Sequence, residues 1–243
     1  MMMKKLISTP VILSSFVFAL SSAAISAQQL SPSNLIERPL VLADGEIAVG
    51  GALLFGEQTD GDNKWRALPV FGYGVTDNVT VGFGGIRYQF MERWQDKTGL
   101  EMTLGLGLTG GREVIGADDS YGVGLDLSGK YVFSSDTALT FGIEYIHWQE
   151  DKRDNRGEVA LSVGFEQRLY GQLSAFGQYT YSDLHDFVED DSHAGSLGLN
   201  YTLSKQSDIG LLVTYSNFDA QANGYKADDI YEKTAGVYYT YRF

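Results

Sequence analysis

The residues Tyr231–Phe243 have the sequence YEKTAGVYYTYRF, in which apolar and polar side chains alternate up to the final position. Tyr239, Tyr241 and Phe243 share one phase of this alternation, whereas Thr240 and Arg242 share the other. A period of two is the spacing that places successive side chains on opposite faces of a β-strand. The segment therefore predicts a strand with one aromatic face and one polar face.

The same alternation recurs upstream along most of the chain. In Tyr121–Phe133, for example, Val123, Leu125 and Leu127 are separated by glycine, aspartate or serine. A strand of about ten residues is long enough to cross a bilayer when it is tilted. The other alternating segments are Glu46–Gly56, Trp65–Val75, Leu100–Thr109 and residues 139–145, 159–168, 173–182, 197–203 and 209–216.

Three features favour a membrane barrel over a soluble β-sandwich, whose strands also alternate. The apolar face carries large side chains with aromatics near the strand ends, and the polar face is rich in Gly, Ser and Thr. Short turns also alternate with longer charged loops. The short turns are Ser134–Asp136, Tyr170–Gly171 and Lys205–Ser207, and the loops are Gln149–Arg156, Asp183–Ser192 and Asp219–Asp229. We therefore expect an all-β fold, a transmembrane antiparallel up-and-down β-barrel.

The N-terminal region has a different composition from the alternating segments. Residues 1–27 begin with Lys4 and Lys5, continue with a mostly apolar stretch and end in small residues, which is typical of a secretory signal peptide. We expect residues 28–45 to form a periplasmic N-terminal segment and residues 46–243 to form the barrel. The chain has no cysteine, and its formal net charge of −13 disfavours a nucleic-acid partner.

Residues 46–243 resemble the Gram-negative outer-membrane β-barrel superfamily. The ending Tyr239-Thr240-Tyr241-Arg242-Phe243 is similar to the Phe-terminated last strand that the barrel-assembly machinery recognises. The resemblance implies that the protein lies in the cell outer membrane, with outer-membrane lipids and lipopolysaccharide around it. It also implies that Tyr239, Tyr241 and Phe243 form the assembly signal. No particular functional family is indicated.

The number of strands depends on Val79–Met91, where the apolar phase changes at Gly84-Gly85. If this pair forms a hairpin turn, the chain makes twelve strands. If it forms a β-bulge, Leu35–Leu42 must supply the twelfth strand, although Pro39 disfavours that segment as a paired strand. We favour the turn, and ten strands are the alternative.

The inward charges are the candidate functional residues. We expect a narrow porin-like channel for small polar solutes; the alternative is a closed structural or surface-interaction barrel with acidic outer loops. A filled lumen should make Lys130→Ala and Arg168→Ala destabilising, whereas a wet pore should tolerate both. The candidate pore-lining residues are Arg66, Arg87, Glu101, Asp126, Lys130, Glu144, Glu166, Arg168 and Arg242.

The sequence gives little support for catalysis or for a bound cofactor. The lipid hydrolases and acyl transferases among outer-membrane barrels suggest a third possibility, but no histidine here has a serine two residues away. The acidic loop Asp183–His193 lacks a fixed ligand spacing, so we expect a solvated loop rather than a metal site. We expect a protein that is not an enzyme and that binds no cofactor and no metal.

Overall fold

The computed structural model describes residues 34–93, 98–116, 119–150, 153–227 and 230–243. The predicted signal peptide, residues 1–27, lies outside these residues. No helix in the described residues is long and apolar enough to span a membrane. The strands are β1 (Ile47–Gln58), β2 (Asn63–Thr76), β3 (Val79–Gly82), β4 (Gly85–Met91), β5 (Gly99–Arg112), β6 (Ser120–Ser134), β7 (Thr137–Gln149), β8 (Arg156–Tyr170), β9 (Leu173–His185), β10 (Asp191–Thr202), β11 (Ser207–Ser216) and β12 (Tyr231–Arg242).

These strands form one closed barrel in which each strand pairs with its neighbours in sequence and β12 pairs with β1. All the pairings are antiparallel, and Val49 lies opposite Tyr241 where the barrel closes. The alternation explains the two surfaces. Along β6, Tyr121, Val123 and Leu125 point outward, and the residues between them are buried inside. The predicted antiparallel up-and-down barrel is confirmed.

The Gly84-Gly85 region is a hairpin turn, as we favoured. Phe83 and Gly84 form the turn, and Gly82 lies opposite Gly85 at its base. Gly85 has a φ of +117°, and a Cβ at this position would lie 2.2 Å from the carbonyl oxygen of Leu106. Only glycine fits this backbone conformation and this close approach to β5. The count of twelve strands therefore follows from the turn and not from a bulge.

Residues 34–46 fold into one end of the barrel, and we call them the N-terminal plug. They lie at the end that carries the short β-turns, here the short-turn end; the opposite end is the long-loop end. Leu35–Glu37 form a single 3₁₀ turn, whose first amides are capped by Asn34. Leu35, Ile36, Leu40, Val41 and Leu42 are buried. The sequence predicted a periplasmic segment over residues 28–45, and the structure adds that its described part lies inside the barrel end. The segment lies inside because its apolar side chains are removed from water there.

Candidate functional site

The N-terminal plug is anchored to the barrel wall by a buried cluster of charges. Arg38 forms a bidentate ion pair with Asp208 at the start of β11, with N–O distances of 2.7 and 2.9 Å. Arg242, at the end of β12, pairs with the same carboxylate. One buried aspartate thus holds two arginines, and fork-to-carboxylate geometry of this kind fixes orientation as well as position.

Lys130 anchors the opposite side of the N-terminal plug. Its ammonium group lies 2.7 Å from Glu166 on β8. It also donates hydrogen bonds of 3.2 Å to the carbonyl oxygens of Leu35 and Arg38. Lys130 is completely buried, so all three partners are needed to replace its hydration.

Further contacts hold the N-terminal plug against other parts of the wall at the short-turn end. Arg93, after β4, pairs with Glu101 at 3.1 Å and also donates to the carbonyl oxygen of Glu37. At the far side, the amide of Leu42 donates to the hydroxyl of Thr80 at 2.7 Å. The N-terminal plug therefore runs from the β6–β7 turn, next to Asn34, to strand β3 and closes the short-turn end.

The long-loop end is closed by residues 217–227, which we call the loop cap. Arg112 is buried beneath it, with its guanidinium 3.8 Å from the centre of the Trp148 ring and 4.5 Å from that of Phe218. The guanidinium also lies 5.1 Å from the ring centre of Tyr225 and pairs with Glu158 at 3.3 Å. A buried cation among aromatic faces is a stabilising arrangement when a carboxylate balances its charge.

Polar contacts hold the loop cap to the neighbouring loops. The hydroxyl of Tyr225 donates to Glu150. Arg156 donates to the carbonyl oxygen of Asn223 at 2.9 Å, and the side-chain amide of Asn223 donates to Glu189 at 2.8 Å. Burial of its hydroxyl raises the pKa of Tyr225, so this group stays a hydrogen-bond donor. The loop cap is thus tied to the loops after β7 and β9.

A cavity of about 70 Å³ lies inside the barrel below the loop cap. Small hydroxyl-bearing side chains of the wall form part of its lining, beside apolar residues such as Ile143, Phe218 and Ile230. Arg112, Glu144 and Glu158 supply charges of both signs at its edge, and Thr109 donates to Glu144 at 3.1 Å. The hydroxyl-bearing residues are Ser162, Thr180, Ser182, Ser192, Ser196, Thr214 and Ser216. This part of the interior therefore combines polar and apolar surface, and it has room for a few waters.

The structure separates the candidate pore-lining residues into groups. Arg242, Lys130, Glu166 and Glu101 all lie in the charge clusters around the N-terminal plug. Further from the short-turn end, Arg87 pairs with Asp126 at an N–O distance of 3.4 Å. Glu144 lines the cavity, and Arg66 is a half-buried residue in the inward phase of β2.

Arg168 and the predicted assembly residues lie elsewhere. Arg168 is near the short-turn rim, where it pairs with Asp136 at 3.4 Å and is 31% exposed. Tyr239, Tyr241 and Phe243 lie in the outward phase of β12 and the residue after it, and the rings of Tyr241 and Phe243 are 5.0 Å apart.

Several important residues were missed by the sequence analysis. Arg38 precedes the barrel, so strand phase could not place it in the lumen. Asp208 and Arg112 are at strand ends, beyond the alternating segments. Asp208 continues the inward phase of β11. Arg112 has the outward parity of β5, and a register irregularity between Leu108 and Gly110 turns it inward. The strand phase could therefore have found Asp208, but it gave no signal for Arg112, for Arg38 or for the loop residues Phe218 and Tyr225.

Comparison with known proteins gives a likeness in architecture only. No protein-family model matches the chain, and no curated protein matches its sequence. The NanC porin is similar at 12% identity with a TM-score of 0.49, covering 80% of this chain and 98% of NanC. OmpT, an outer-membrane protein of Vibrio cholerae, is similar at 12% identity with a TM-score of 0.48, covering 84% of this chain and 99% of OmpT. The KdgM porin is similar at 9% identity with a TM-score of 0.48, covering 81% of this chain and 99% of KdgM.

The outer surface of the barrel itself identifies its surroundings. Large apolar side chains are exposed on strand after strand; Leu106 is 56% exposed, Leu125 50% and Val213 50%. A continuous apolar belt around a closed barrel is the surface that a bilayer solvates. The predicted membrane-spanning barrel is therefore confirmed, and the chain is a twelve-stranded transmembrane β-barrel.

Proposed function

We propose that the chain is a narrow porin-like channel for small polar solutes, and that the described conformation is its closed form. The proposal rests on which segments close the two ends of the barrel. The N-terminal plug and the loop cap are segments outside the strand ladder. The wall between them presents small polar side chains around the cavity, and an apolar cluster that includes Leu54, Phe176 and Tyr238 next to Leu35 of the plug. A barrel closed by such segments opens when they move, without loss of wall hydrogen bonds.

The lining of the cavity suggests the class of solute. Ser, Thr and Gln side chains can exchange hydrogen bonds with a polar solute as they do with water. Arg112 lies near Glu144 and Glu158, so the lining carries both signs of charge. We therefore propose small, polar and weakly charged solutes, with no strong preference for anions or cations.

The conductance of the refolded protein in a planar bilayer tests the proposal. We expect the full mature chain to conduct little, and a variant lacking residues 28–45 to conduct clearly more once the loop cap is also loosened. A second variant, Tyr225→Phe, removes only the hydroxyl that binds Glu150 and should loosen the loop cap. Unheated and boiled samples compared on a gel establish that each variant is still a folded barrel.

A closed structural or surface-interaction barrel is the second candidate, since both ends are closed here. It predicts that folded barrels without the N-terminal plug, with or without Tyr225→Phe, still fail to conduct. That result would overturn the channel proposal. We propose no enzymatic role. Lipopolysaccharide at the long loops and the barrel-assembly machinery at β12 are the partners that we propose.

A further inference from the structure

Among the described residues, the barrel wall is incomplete above the β3–β4 hairpin. β3 pairs with β2 only as far as the opposed residues Gly72 and Gly82, and β4 pairs with β5 only as far as Ile86 and Leu106. β2 continues from Gly72 to Asn63, and β5 continues from Leu106 to Arg112. In the described residues, neither extension has a strand partner on the side of the hairpin. We call this gap between β2 and β5 the side notch.

Pro69 lies on the free edge of the side notch. The amide of Phe83 donates to the carbonyl oxygen of Phe71 at 3.3 Å, so the polar backbone groups of Phe71 point toward the hairpin. Residues two apart on an antiparallel strand point their backbone groups to the same side. The nitrogen of Pro69 therefore points into the side notch, and proline has no N–H group that would need a partner there.

The side notch lies within the apolar belt. Phe83 at its base and Leu106 and Leu108 on its β5 side are exposed on the outer surface, and Trp65 is exposed near the top of β2. An open sheet edge is tolerated at membrane depth only where it lines a cavity or is covered by protein. The free edge of β2 therefore requires a cavity beside it.

A cavity of about 120 Å³ is found at this position. Phe71, Phe83, Ile86 and Leu106 line it from the membrane side. Its inner wall is formed by Leu40 and Leu42 of the N-terminal plug together with Ala48 and Val70, which are in the inward phase of β1 and β2. The side notch therefore connects the membrane face of the barrel with its interior.

The lining of this cavity is apolar along most of its length and charged at one place. The ion pair Arg87–Asp126, with an N–O distance of 3.4 Å, lies among its inner residues. Such a lining fits a molecule with one apolar chain and a polar head. The rings of Phe71 and Phe83, 5.7 Å between centres, close the base of the side notch, so the space suits one chain better than two.

We propose that the side notch is a lateral binding site for the acyl chain of a single-tailed amphiphile, such as a free fatty acid. The chain enters from the membrane between β2 and β5, and its head reaches the Arg87–Asp126 pair. This site is separate from the axial path of the proposed channel and does not require that path to open.

Photolabelling in lipid nanodiscs tests the proposal. The probe is a fatty acid with a diazirine on a carbon close to its carboxylate, and mass spectrometry locates its adducts. We expect adducts on Leu42, Ala48 and Val70, which membrane lipid does not reach around an intact wall. Leu106→Trp should block the side notch and reduce these inner adducts about tenfold, as a loss of about 1.4 kcal/mol in binding would. Leu125→Trp is the matched control, because Leu125 is a similarly exposed outward leucine on β6; it should leave the adducts unchanged.

A second variant and a second probe complete the test. Phe83→Ala should widen the base of the side notch and increase the inner adducts, so the result does not depend on one variant folding well. Adducts restricted to outward residues would overturn the lateral site. Equal inner labelling by a diazirine phospholipid would overturn the assignment to a single-tailed molecule. Neither result bears on the conductance of the axial path.

Discussion

At the scale of single residues, the contribution of an inward charge to stability depends on whether the charge is enclosed or lies at the rim of the barrel. Lys130 and Arg168 share the inward phase of their strands, and the sequence suggested the same role for both. In the structure Lys130 is completely buried between Glu166 and the N-terminal plug, whereas Arg168 is partly exposed beside Asp136. Removing a partner from a buried ion pair leaves an uncompensated charge, but exposed pairs contribute little.

We therefore expect Lys130→Ala to lower the free energy of unfolding by about 3–5 kcal/mol, because Glu166 loses its buried partner. Arg168→Ala should change it by less than about 1 kcal/mol. Urea unfolding of the refolded protein in detergent, followed by circular dichroism, measures both. Equal and small losses for the two variants would mean that water reaches Glu166 and that this end of the lumen is wet.

At the scale of elements, the N-terminal plug carries its own titratable group. Burial raises the pKa of Glu46 from 4.5 to about 7, although the amide of Ala43 and the charges of Arg242 and Arg38 oppose the shift. An acid whose pKa is higher in the folded state binds its proton more tightly there. Its contribution to stability is therefore complete below pH 4.5 and is lost as the pH rises through about 7.

We expect the N-terminal plug to loosen as the pH rises from the acid range to above about 7. The chain has no cysteine, so Asp44→Cys provides a single site for a spin label on an exposed residue of the plug. The mobility of the label should increase with pH, and Glu46→Gln in the same background should abolish that dependence. A pH profile that is the same with and without Glu46→Gln would show that another group controls the plug.

At the scale of the whole molecule, the barrel is completed where β12 meets β1. Phe243 contributes to this closure, since its amide donates to the carbonyl oxygen of Ile47 at 2.9 Å. Its ring is exposed on the outer surface beside that of Tyr241. Phe133 at the end of β6 has a similar setting, with an exposed ring 4.7 Å from that of Tyr131.

If Phe243 belongs to an assembly signal, Phe243→Ala should reduce the amount of protein in the outer membrane, whereas Phe133→Ala should not. Both changes remove one exposed ring that contacts a tyrosine two residues earlier, so their contact losses are matched. Quantitative blots of outer-membrane fractions at native expression levels measure the difference. Equal yields of the two variants would contradict a signal at the last residue.

The sequence by itself determined the wall of this protein. Period-two alternation, as in Tyr121–Phe133, fixes which side chains face out, because a strand has no other way to place them. The change of phase at Gly84-Gly85 favoured a hairpin over a bulge, because a Gly-Gly pair is a signal for a tight turn. These are local properties, and each depends on residues that are close together in the chain.

Only the tertiary structure decided which segments fill the barrel and where its wall is interrupted. The pair Arg38–Asp208 joins residues 170 positions apart, and Arg112 meets Tyr225 across the lumen. No periodic pattern encodes such contacts, because the plug and the loop cap are irregular segments whose positions depend on the closed barrel. The side notch is also a tertiary feature. Only the lengths of β2, β3, β4 and β5, once paired, leave the edge at Pro69 without a strand partner and facing the membrane.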